Sequence, residues 1–100
     1  MVKFAAAAGD GFGSWILWLG SIEEAFEIMD MLEDPSVRDG LARAVASQLR
    51  AAADFVGSQS PRGRVLREAA SSTEAAGRAT LDMDLRIQLA RAKRLFSVIR

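Results

Sequence analysis

Apolar residues recur at Trp15, Ile16, Leu19, Ile22, Phe26, Met29 and Leu32, three or four apart, as one face of a helix requires. The spacing predicts a helix over about 14–34, with Ser14 as its N-cap after the breakers Gly9, Gly11 and Gly13. Glu23, Glu27, Asp30 and Asp34 follow the same spacing and make a second, acidic stripe. Leu17, Trp18, Ile28 and Met31 fit neither stripe. The helix is therefore apolar over more than one side and needs more than one neighbour.

Asp34-Pro35-Ser36 ends this helix and starts another. Proline disfavours the helical region for the residue before it, and Asp34 or Ser36 can cap the new N-terminus. The second helix runs over about 36–56, with Val37, Leu41, Val45, Leu49, Ala52 and Val56 on one face. Residues 57–63, rich in Gly, Ser and Pro, read as a loop. Beyond it, Leu66, Ala70, Thr73, Gly77, Leu81, Leu85, Leu89, Ala92, Phe96 and Ile99 hold one helical register. That pattern predicts a single helix over about 64–99, about 54 Å long at 1.5 Å per residue. The alternative is a break, because Ser71-Ser72-Thr73-Glu74 has capping-box spacing and Gly77 follows it.

Residues 69–79 are small (Ala69, Ala70, Ala75, Ala76, Gly77, Ala79), and the second helix offers Ala42, Ala44, Ala46 and 51–53 in return. The resulting expectation is an all-α, three-helix arrangement. An Ala-rich antiparallel helical hairpin (about 36–56 and 64–99) packs with an apolar N-terminal helix (about 14–34). The chain forms a single domain, with residues 1–10 as a flexible arm. The bulky residues of 81–99 need bulky partners, and the first helix supplies them from the same chain or from a neighbour.

Composition supports the helical reading. Eighteen of the 100 residues are Ala, only two are Pro, and there is no Tyr. Arginine outnumbers lysine eleven to two, a skew that GC-rich bacterial or phage coding would produce. The net charge is zero, but residues 1–34 carry seven acids against Lys3 alone, leaving residues 35–100 at +6. Such halves attract, within one molecule or head-to-tail between two. The complementary charges are expected on Glu23, Glu27, Asp30 and Asp34 on one side and Arg86, Arg91 and Arg94 on the other.

The chain has no His, Cys or Tyr, which removes the usual general base, thiol nucleophile and phenol. Only Lys3 and Lys93 could serve a Ser–Lys arrangement. The acidic stripe could hold a hard cation, but the helical di-metal sites use Glu-x-x-His pairs. Neither catalytic residues, nor a cofactor, nor a metal is expected. Arg62, Arg64 and Arg67 cluster at the hairpin turn, yet the aromatic interleaving of single-strand binders is missing, which argues against nucleic acid. Residues 11–22 are uncharged but too few to span a bilayer. No secretory signal is recognisable, so a cytoplasmic or virion-associated location is expected, with a membrane-surface role as a lesser alternative.

Trp18-Leu19-Gly20 resembles the Trp-x-Gly turn of the small helical-hairpin proteins of type VII secretion. The motif here lies near residue 20 inside an apolar helix, not mid-chain between two helices, and the tyrosine of that family's C-terminal motif is missing. The resemblance is set aside. The remaining expectation is a non-enzymatic protein-binding or assembly subunit, such as a small component of a virion or secretion apparatus. Its partner interface would comprise Trp15, Leu17, Trp18, Ile28, Met31 and Phe96. An antitoxin-like or phage-encoded inhibitor of one target is the alternative, using the same patch.

Overall fold

The computed structural model describes Phe4 and residues 11–100. The described residues form four helices: α1 (Phe12–Met31), α2 (Pro35–Val56), α3 (Pro61–Arg78) and α4 (Asp82–Val98). The chain is all-helical as expected, but with four helices in place of three. Residues 1–10, expected as an arm, lie outside the described residues except for Phe4. That residue is buried, and its backbone N–H donates to the side-chain oxygen of Gln48.

The signals at the start of α2 and α3 explain their boundaries. Asp34 accepts from the backbone N–H groups of Ser36 (2.9 Å) and Val37 (3.4 Å), with Pro35 at the first helical position. Ser60 accepts from Gly63 N–H at 3.0 Å, followed in the same way by Pro61. The α1 helix starts at Phe12 after Gly11, ahead of the expected Ser14 cap, and ends at Met31. Across the α1–α2 corner the buried guanidinium of Arg38 donates to the Leu32 carbonyl at 2.8 Å, satisfying an acceptor that the end of α1 leaves open.

The α2–α3 hairpin closes tightly. Gly57 takes φ +99, a left-handed conformation that glycine adopts without strain. Its carbonyl would sit 2.0 Å from a Cβ on Gly63, so the turn tolerates no side chain there. Further along, a Cβ on Gly77 would fall 2.4 Å from the Ala42 Cβ. Ala42, Ala46, Ala52 and Ala53 of α2 and Ala69, Ala70 and Ala76 of α3 are fully buried. Thr73 is also fully buried, and its hydroxyl is satisfied by donating to the Ala69 carbonyl at 2.7 Å.

The expected single helix over 64–99 is broken at Ala79–Leu81, where both Ala79 and Leu81 are extended. A continuous helix would be about 54 Å long, whereas the longest dimension of the molecule is 38 Å. The bulky residues of α4 would have stood beyond the bundle without neighbours. The break folds α4 back against α3 and brings Leu85, Leu89, Ala92 and Phe96 into the core. The capping-box alternative at Ser71 is also not used: Ser71, Ser72 and Glu74 lie within α3.

The close contact at Gly77 generates a pair of opposite outcomes. Gly77→Ala lowers stability by about 1–3 kcal/mol through overpacking, despite the gain in helix propensity. Gly20→Ala, where a Cβ would meet nothing, raises it by up to about 1 kcal/mol. Urea unfolding midpoints of the two variants and the wild type check both signs.

Candidate functional site

The large apolar residues of α1 divide between inside and outside. Trp18 is fully buried, its ring 5.0 Å from that of Phe4 and 6.0 Å from that of Phe96. Phe96 also meets Phe26 edge-on at 5.8 Å and is itself buried. Trp15 stacks on Trp18 at 5.2 Å and is half-buried. The structure therefore places Trp18 and Phe96, two residues expected at a partner interface, in the core of their own chain. Leu17 (66% exposed), Ile28 and Met31 (72%) remain outside.

These exposed residues are aligned. Leu17, Glu24, Ile28 and Met31 recur at helical spacing on the outer side of α1. A matching stripe runs along α4, where Met83, Ile87, Arg94 and Val98 all face solvent. The α1 stripe is apolar and acidic, and the α4 stripe is apolar and basic.

The acidic stripe Glu23, Glu27, Asp30 and Asp34 is split among several tasks. Glu23 pairs with Arg100 and Asp30 with Lys93, so the oppositely charged parts of the chain meet within one molecule. Glu27 lines the groove of about 280 Å³ between them, together with Phe26, Phe96 and Ser97. Asp34 caps α2, and hydrogen bonds from Ser36 and Val37 hold its carboxyl below the ordinary value of 3.8. The basic residues expected opposite this stripe lie elsewhere. Arg86 pairs with Asp82 one turn away at 2.8 Å, Arg91 faces a different cleft, and Arg94 is on the outer surface of α4. Lys93 and Arg100 were the residues to find. Their helical register relative to Phe96, four residues from Arg100 and three from Lys93, was the available signal.

Arg91 lines a cleft of about 350 Å³ between α3 and α4 with Arg64, Arg67, Glu68, Ser71 and Ser72. A third cavity, of about 400 Å³, lies where the α1–α2 corner meets the α3–α4 break and contains Arg38. Among the described residues, no group of three His, Cys, Asp or Glu side chains is placed to hold a metal ion. No described helix is long and apolar enough to cross a membrane. Comparison with family models, with curated proteins and with solved structures finds no match. The functional reading consequently rests on the surface itself.

Arg50 of α2 and Glu74 of α3 form an ion pair that ties the hairpin together. The guanidinium of Arg50 donates to Glu74 and holds its carboxyl below the ordinary value of 4.5. A carboxylate with a lowered folded pKa stabilises the fold above its unfolded pKa and loses that contribution as pH falls through the folded value. The pair is partly exposed, so the loss amounts to no more than about 1 kcal/mol. Urea midpoints measured downward from about pH 5 therefore fall with acidification, and Glu74→Gln removes part of that slope.

Proposed function

We propose that this protein is a non-enzymatic assembly subunit, in which the outer stripe of α1 docks on the outer stripe of α4 in a second copy. The observation that carries the reading is the pair of exposed, aligned and oppositely charged apolar stripes. Leu17, Ile28 and Met31 stand with Glu24 on α1, and Met83, Ile87 and Val98 with Arg94 on α4. Single exposed apolar residues are ordinary, but aligned rows of them mark surfaces that another chain covers. Because the two stripes differ, the contact is heterologous. Repetition then leads to a ring where the rotation closes and to a filament where it does not. Such self-association would suit a small component of a virion or secretion apparatus.

An inhibitor of one target protein would need an exposed anchor, and Trp18 would have been the strongest. Its enclosure leaves the row of aliphatic side chains as the available contact, which favours assembly over that reading.

Light scattering coupled to size exclusion tests the proposal. The wild type shows a mass that rises with concentration above the 10.8 kDa of one chain. Ile87→Asp or Met31→Asp weakens association at least about tenfold, since each removes a buried aliphatic contact. Glu24→Arg and Arg94→Glu each weaken association, and mixing the two variants restores it. A wild type that stays at one chain's mass up to millimolar concentration overturns the proposal.

A further inference from the structure

The cleft between α3 and α4 brings three arginines to one concave surface with a single acid beside them. Five basic side chains elsewhere are ion-paired: Arg43 with Asp39, Arg50 with Glu74, Arg86 with Asp82, Lys93 with Asp30 and Arg100 with Glu23. Arg64, Arg67 and Arg91 line one cleft of about 350 Å³, and none is ion-paired to a described residue. Like charges held together this way repel one another unless an anion sits between them.

Two hydroxyls share the same wall. Ser72 is only 4% exposed, yet it lines the cleft. Its neighbour Thr73 spends its hydroxyl on the Ala69 carbonyl, whereas the Ser72 hydroxyl has no hydrogen-bond partner among the described residues. A hydroxyl left free at the cleft wall can donate to a ligand oxygen. Ser71 stands beside it, and Glu68 is the only acid in the lining.

We infer that this cleft binds the phosphate dianion of a small, hydroxylated phosphate monoester. Guanidinium groups match phosphate oxygens in paired, charge-assisted hydrogen bonds, and three of them less Glu68 leave a net +2 opposite a dianion. The serine hydroxyls donate to the remaining phosphoryl oxygen. Glu68 accepts from a hydroxyl of the organic part and disfavours larger polyanions. The volume lies at the lower end of the range for small-molecule sites, enough for a phosphate and a short polyol but not for an extended ligand. The site is independent of the assembly contact, which uses Ile87 and Arg94 and none of these six residues.

Titration calorimetry at low salt with glycerol 3-phosphate, inorganic phosphate and glycerol tests the inference on the full chain. Glycerol 3-phosphate binds more tightly than inorganic phosphate, and glycerol alone does not bind. Arg67→Gln and Arg91→Gln each weaken glycerol 3-phosphate binding by about tenfold or more, and Ser72→Ala by severalfold. Arg43→Gln, an exposed arginine on α2, leaves it unchanged. Circular dichroism and the mass in solution, recorded for each variant, separate lost binding from lost folding or altered assembly. No heat with the wild type overturns the inference, as does equal weakening by Arg43→Gln and Arg91→Gln. Inorganic phosphate binding as tightly as glycerol 3-phosphate overturns the assignment of the organic part.

Discussion

The approach of α2 to α3 decides where everything else in the molecule can go. Ala42 sits where a Cβ on Gly77 would be, and the Gly57 carbonyl occupies the space a side chain on Gly63 would need. With small residues filling this seam, the two helices pack at short range and the buried polar group of Thr73 is satisfied within its own helix. The seam is too narrow to accept the bulky residues that follow. Those residues need a wider partner, which α1 supplies with Trp18, Ile22, Phe26 and Met29. The turn at Ala79–Leu81 is the geometric consequence, since it swings Leu85, Leu89 and Phe96 from the end of the seam to its flank.

Much of this was legible from spacing alone, for identifiable reasons. The α2 helix begins one residue from where the sequence places it, because Asp34 and Pro35 act locally and need no tertiary help. The break in the last predicted helix was hidden because Ala70, Thr73, Gly77, Leu81 and Leu85 keep one register straight through it. Periodicity reports which face is buried, not whether the axis is continuous. The cue was in length: an element much longer than the domain around it must bend, whatever its pattern says.

The surface was read less well than the core. Leu17, Ile28 and Met31 fitted no stripe in the sequence and are exposed, as residues without an internal neighbour should be. Trp18 was assigned to no stripe either and is buried, because it stands one, two and three turns before the buried Ile22, Ala25 and Met29 on the same face and because Phe4 comes from outside the helix to cover it. The acidic stripe was visible, but its partners were assigned by charge count instead of by register. The cleft holding Arg64, Arg67 and Arg91 could not be seen at all, since only the turn between α3 and α4 brings Arg91 alongside the other two.

The four helices are not held equally. The α2–α3 and α3–α4 contacts are close and join neighbours in the chain, whereas α1 stands off on large side chains and touches α2 and α4 more sparingly. Its ties at the α4 side include two partly exposed ion pairs, Glu23–Arg100 and Asp30–Lys93, which contribute little in salt. Local opening draws on the least tightly packed unit first. The aromatic cluster of Trp18, Phe26 and Phe96 is therefore what fastens the first helix to the rest of the bundle.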